Sequence, residues 1–419
     1  MDKIVIKGGQ KLKGKVKISG SKNAALPIMA ATILSSGWND IQNLPDLRDI
    51  ATMAGLLEGL GLKVSRGSHR VKIHTNGFKN HVAPYDLVKT MRASVLVLGP
   101  LLARLGRAKV SLPGGCAIGA RPIDQHLKAF EAMGAEIKIE HGYVEASCSR
   151  LKGTRIEFPF VTVTGTENVI MAAVLAEGTT VIENAAAEPE VIDLIEFLNR
   201  MGAKIRGAGT RQIVVEGVKE LKGVPYQVMP DRIEAGTFMI GAALANGEVM
   251  VEGIPPLYVQ SLIDKLKEAG VHIEALNGGL KVVGPKKLKS VDVETAPYPG
   301  FATDFQAQFM ALMTRAEGTS HIVENIFENR FMHAGEMVRM GADIKIEGNR
   351  AVVKGVPTLS GAPIMATDLR ASASLVLAGL AADGITEISR VYHIDRGYER
   401  IEKKFRKIGA KVKRVKIKY

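Results

Sequence analysis

The chain has 419 residues, 46% hydrophobic, 5% aromatic and 24% charged, with two cysteines and a formal net charge of +13. That length predicts two or more domains with a large core. No run reaches the roughly 18 uncharged apolar residues of a membrane span, no signal-peptide pattern opens the chain, and two cysteines cannot build a disulfide framework, so a cytoplasmic protein is expected.

The opening residues Met1–Lys7 alternate as a β-strand does, and Lys13, Lys15 and Lys17 fall on one side of a second strand. Residues 1–22 net +6 and residues 403–419 carry +9, which leaves −2 for residues 23–402. Lysines at alternate strand positions suit a solvated sheet face, and the near-neutral remainder argues against nucleic acid as a partner.

From Lys22 onward the chain is a sixfold repeat. Leu60-Gly61-Leu62-Lys63-Val64 is echoed around Gly134, Gly202, Gly270, Gly341 and Gly409, at spacings of 73, 68, 68, 71 and 68 residues. Each phrase predicts a helix closed by a glycine and passing into a strand. An Ala-rich helical run and a short strand precede it, so the unit is strand, helix, strand, helix, then two strands. Helices with small residues on several faces, such as Ala371–Ala381, suit burial on more than one side.

The starts of these Ala-rich helices carry polar residues: Lys22-Asn23, Arg92, Glu167-Asn168, Asp231-Arg232, Asp304, and Asp368 with Arg370. Repeats place equivalent positions equivalently, so these groups should gather where helix N-termini converge and favour an anion. Asn168 and Asp231 also suit helix N-caps. Lys22, Arg92 and Arg370 oppose the helix dipole, a penalty that an anion would remove.

In the second repeat, Leu112–Asp124 is glycine-dense, with Cys116 at its tip and Arg121-Pro122-Ile123-Asp124 in its exit. Three glycines between Pro113 and Pro122 predict a mobile lid. Packing and chemistry both remain open for a thiol there. Cys148, inside a predicted strand, is read as structural, and His and Cys show no metal-ligand spacing.

Ser19–Pro27, the Cys116 loop, Asp231–Thr237, Phe327–Phe331 and His393–Glu399 closely resemble the UDP-N-acetylglucosamine 1-carboxyvinyltransferases, within the enolpyruvyl transferase family. The resemblance runs from about residue 3 to the C-terminus. It implies an inside-out α/β barrel fold of two domains with three pseudo-symmetric repeats each. These are residues 22–229, carrying the Cys116 loop, and residues 1–21 with 230–419, with the substrate cleft between them. It also implies transfer of the enolpyruvyl group of phosphoenolpyruvate to the 3'-hydroxyl of UDP-N-acetylglucosamine with release of phosphate, the first committed step of peptidoglycan synthesis, without metal or organic cofactor.

Carried over by motif, Cys116 resembles the proton donor to the vinyl methylene and a sulfur able to form an adduct with phosphoenolpyruvate. Asp304 is similar to the carboxylate that accepts the 3'-hydroxyl proton. Lys22, Asn23, Arg121 and Arg396 match positions that hold phosphoenolpyruvate. Asn23, Arg92, Arg121, Pro122, Ile123, Asp124, Gln125, Asp304 and Ile326 match those that hold the nucleotide sugar, and Arg330, Asp368 and Arg370 match supporting positions. Ser21 stands where many members have alanine, Ala302 replaces a common proline, and Phe160-Val161-Thr162 lacks a lysine that some members carry. The alternatives are a sister transferase acting on shikimate 3-phosphate and a non-catalytic binding paralogue.

Overall fold

A computed structural model describes residues 2–89, 91–112 and 123–416. The chain divides into two compact units, one from the described residues of Met1–Ser19 and Pro230–Tyr419, the other from those between Gly20 and Met229.

The third repeat shows the plan. Strand Arg155–Glu157 leads through helix Val163–Ala173 into strand Thr179–Glu183, and helix Pro189–Arg200 leads into the hairpin of Lys204–Arg206 and Gln212–Glu216. The first two strands pair in parallel and the hairpin adds antiparallel, as a strand-helix-strand crossover requires. Each unit carries three four-stranded sheets in this order among the described residues. The inside-out α/β expectation is met: the Ala-rich helices form the interior and the sheets lie outside.

Both units close on themselves through distant strands. Pro225–Gln227 runs parallel to Trp38–Gln42 and so supplies the strand that the first repeat lacks. Asp2–Lys7 inserts between Ile385–Ser389 and Lys411–Lys416, antiparallel to both, and completes the last sheet. Lys13–Lys17 lies parallel to Glu248–Glu252 at a sheet edge. Lys13, Lys15 and Lys17 are exposed there, where lysine discourages pairing with another edge.

The helix Arg232–Leu244 is buried at every residue, and it packs with Thr303–Met313 and Leu369–Ala381. Their small residues allow this closeness: a Cβ at Gly236 would lie 2.2 Å from the Phe305 ring. Phe238, Phe305, Phe309 and Phe405 are fully buried, each contributing about 1.5–3 kcal/mol of transfer free energy. The second helix of a repeat buries one stripe only, as Gln260–Glu268 does with Leu262, Ile263 and Leu266. Gly61, Gly134, Gly202, Gly270, Gly341 and Gly409 all take positive φ, between 89° and 109°, so the repeated glycine is a backbone requirement at each helix end.

The second repeat departs from the expected helix. Arg92–Val97 is a 3-10 turn and the α-helix begins only at Leu98–Leu105. Pro100, in the first turn of that α-helix, has no N–H to give the Leu96 carbonyl, which suits a helix start there.

Candidate active site

In the unit containing residues 230–416, three helix starts converge as the repeat predicted. Asp304 stands in the first turn of Thr303–Met313, Asp368 caps Leu369–Ala381 through bonds from the Arg370 and Ala371 amides, and Asp231 caps Arg232–Leu244 through Ile233 and Glu234. Arg330 Nη2 lies 2.8 Å from Asp304 Oδ1. Arg370 gives Nε and Nη2 to Oδ2 at 3.1 and 3.0 Å.

The two arginine side chains are 5% and 3% exposed, whereas Asp304 keeps 24%, so the carboxylate is the part of the cluster that solvent reaches. Burial alone would push its carboxyl up, but the Arg370 and Arg330 charges, the Arg330 hydrogen bond and the Arg232 charge together hold it well below the usual range. Arg330 is steadied by Thr303 Oγ1 at 3.2 Å and by the face of Phe327. Arg370 Nη1 completes no hydrogen bond of good geometry among the described residues.

Around this cluster, the charge of Asp368 acts on two histidines. His333 is fully buried and held neutral, its pKa down to about 4, chiefly by burial, with Asp368 opposing and Arg330 adding to the shift. His393 is also lowered, by burial and then by Arg396. Arg396 closes the 3-10 turn Val391–Arg396. Gly397 follows because a Cβ there would meet Leu369 at 2.1 Å. Ile326 is exposed, with its amide on Glu324 Oε1 at 2.9 Å.

In the unit containing residues 20–229, Ser21 caps Lys22–Ala31 by accepting from the Ala24 amide, and Asn23 is exposed in its first turn. Lys22 is buried and pairs with Asp49 at 3.3 Å. This changes the helix-dipole argument: Lys22 and Arg370 are each met by a carboxylate of the protein, so a helix-start cation does not by itself demand a ligand. Asp49, in the first turn of Arg48–Gly59, carried no signal beyond an acid at a helix start.

Asn168 is not an N-cap. Thr162 caps that helix, and Asn168 reaches back to Gly99, Val95 and His126 at 2.8, 2.9 and 3.1 Å. Burial lowers the His126 pKa to about 4, and the Arg92 charge adds to the shift. Ile123 and Gln125 are buried and Asp124 is exposed at the start of Asp124–Ala132. Cys116, Arg121 and Pro122 lie outside the described residues. Cys148 is half-buried, which raises its thiol pKa. Among the described residues no three His, Cys, Asp or Glu side chains group as metal ligands.

A family model described as EPSP synthase (3-phosphoshikimate 1-carboxyvinyltransferase) matches residues 6–405. Proteins named UDP-N-acetylglucosamine 1-carboxyvinyltransferase from Geobacter metallireducens and Trichlorobacter lovleyi are each 61% identical over 99% of this chain, and the match covers 100% and 99% of their own length. The chain belongs to the UDP-N-acetylglucosamine 1-carboxyvinyltransferase family.

Solved structures agree on the fold of this family. The enolpyruvyl transferase NikO of Streptomyces tendae superposes with a TM-score of 0.88 at 24% identity, covering 99% of this chain and 98% of NikO. EPSP synthase of Acinetobacter baumannii gives 0.75 at 19% identity, covering 99% of this chain and 100% of its own. As a member of the family, the chain is a transferase.

Proposed function

We propose that this enzyme transfers the enolpyruvyl group of phosphoenolpyruvate to the 3'-hydroxyl of UDP-N-acetylglucosamine, releasing phosphate and opening peptidoglycan synthesis. The observation that carries the reading is full-length identity of 61% to relatives of that name. In the addition step the 3' oxygen bonds C2 of phosphoenolpyruvate, its proton passes to a base, and C3 takes a proton from an acid. In the elimination step the tetrahedral product loses phosphate from C2 and a proton from C3, which restores the double bond.

Asp304 is the base in this reading and Cys116 the acid. Held low by two arginines, Asp304 is ionised and accepts a hydrogen bond from a sugar hydroxyl, but it is a weak base at rest. An anionic substrate that draws donors from Arg330 and Arg370 relieves that restraint and raises the carboxylate's basicity. Phosphoenolpyruvate therefore prepares the base that consumes it.

Lys22, Asn23, Arg121 and Arg396 are assigned to phosphoenolpyruvate. Asn23, Arg92, Arg121, Pro122, Ile123, Asp124, Gln125, Asp304 and Ile326 are assigned to the nucleotide sugar. Arg330, Asp368 and Arg370 support the tetrahedral product, and the substrate domains are residues 22–229 and residues 1–21 with 230–419. No helix among the described residues is long and apolar enough to cross a membrane, and a cytoplasmic site for the reaction is part of the proposal.

The description of the matching family model favours shikimate 3-phosphate as the second reading. Phosphate release from phosphoenolpyruvate, measured with each acceptor in turn, separates the two. Release that depends on UDP-N-acetylglucosamine is expected, and equal release with shikimate 3-phosphate overturns the assignment.

A further inference from the structure

Behind the Asp304 cluster, three polar side chains from separate segments meet inside an apolar core. Thr237 and Gln308 are fully buried and Tyr398 is 1% exposed. The Tyr398 hydroxyl lies 2.8 Å from Thr237 Oγ1, and Gln308 Nε2 lies 3.2 Å from Thr237 Oγ1 and 3.1 Å from the Tyr398 oxygen. A buried triad of this kind is costly unless every proton is placed.

The protons can be assigned by elimination. Thr237 Oγ1 donates to the Ile233 carbonyl at 2.9 Å, as a helical threonine does. Its proton is then spent, so Thr237 accepts from Tyr398. The two Nε2 protons of Gln308 go to the oxygens of Thr237 and Tyr398. Tyrosine has one hydroxyl proton, and here it points into the core, so the face of the oxygen left over is an acceptor only.

Arg370 packs against the tyrosine. Its Cζ lies 5.5 Å from the Tyr398 ring centroid, and it interacts with the Tyr398 hydroxyl. The same guanidinium gives Nε and Nη2 to Asp304. Arg370 therefore has an aromatic and an acceptor-only oxygen on one side and the Asp304 carboxylate on the other.

We propose that Tyr398, oriented by Thr237 and Gln308, is a positioning residue that aims the Arg370 guanidinium at Asp304 and so sets the direction of the Asp304 carboxylate during the reaction. This rests on the assignment of Asp304 and Arg370 to the chemistry made above. The charged groups facing the pair are Arg232 and Asp231 at the start of Arg232–Leu244, Arg330 on the neighbouring loop, and Arg370 itself.

The test uses the full-length enzyme, varies each substrate with the other saturating, and follows phosphate release beside thermal unfolding. Tyr398→Phe removes the acceptor, and Thr237→Val removes the group that receives the tyrosine proton. Each should lower kcat roughly tenfold and change KM for the nucleotide sugar less. Thr237→Ser, which keeps the acceptor, should recover the rate lost in Thr237→Val. Folded variants with wild-type kcat overturn the proposal, as does a lower melting temperature with unchanged kcat per folded molecule. Arg370→Lys separates the two layers. If it too leaves turnover intact, the assignment of Arg370 to the reaction falls. If it slows turnover while Tyr398→Phe does not, only the positioning role falls.

Discussion

Arg370 gives Nε and Nη2 to a single oxygen of Asp304, and Arg330 holds the other oxygen at 2.8 Å. A carboxylate between two buried guanidiniums is a strong ion-pair acceptor and a restrained base, so its chemistry depends on what competes for the arginines.

Asp304→Asn should fold and bind both substrates, yet lower kcat by roughly 10²-fold or more. Leaving two buried guanidiniums without their counter-charge should also lower unfolding free energy by about 3 kcal/mol. Calorimetric binding, steady-state rates and denaturant melts measure these separately. Near-normal turnover removes Asp304 from the base role.

Asp193 and His126 should offset one another in acid. Burial pushes the Asp193 carboxyl up to about 6, against the bonds from Tyr226 and the Met229 amide, so its stability contribution is full below about 3.8 and is lost as pH rises through 6. His126 is lowered to about 4, so its contribution is present above 6.5 and is lost as pH falls toward 4. Each amounts to about 3 kcal/mol. Relative to wild type, Asp193→Asn should lose stability between pH 6 and 4 and His126→Gln should gain it. Unfolding curves for both variants that run parallel to wild type across that window refute the assignment.

Lys22→Ala should destabilise the fold by a few kcal/mol, because Asp49, 4% exposed, loses the ammonium at 3.3 Å. Lys22→Ala with Asp49→Asn should recover part of that loss without recovering turnover. Full recovery of turnover in the double variant argues that Lys22 serves the fold alone.

The epoxide fosfomycin should add one mass equivalent to the chain at Cys116. Burial raises the Cys148 thiol pKa and lowers its reactivity at neutral pH. Peptide mapping that places the label on Cys148 excludes the role proposed for Cys116.

Much of the fold was legible because its signals are local. The glycines at 61, 134, 202, 270, 341 and 409 report a backbone angle that few other residues adopt, and the Ala-rich runs report burial on several faces. Part of the site was legible for the same reason: repeated helix starts meet in space, so Asp231, Asp304, Asp368 and Arg370 could be gathered in advance. Asp49 and Tyr398 were not, since an acid early in a helix and a tyrosine after a glycine are common. At Arg92 the expected α-helix is a 3-10 turn, and the α-helix begins six residues later at Leu98, two before Pro100.

By itself the sequence determined the repeat, the alternation of strands and helices and the family, because periodicity and motif spacing are carried along the chain. The tertiary structure decided which charges face each other. Arg370 meets Asp304 across 66 positions, Lys22 meets Asp49 across 27, and Asp2–Lys7 completes a sheet with Lys411–Lys416. Those pairings depend on how helices pack after the chain closes each unit, and Coulomb energy varies too steeply with distance and burial for spacing alone to predict them.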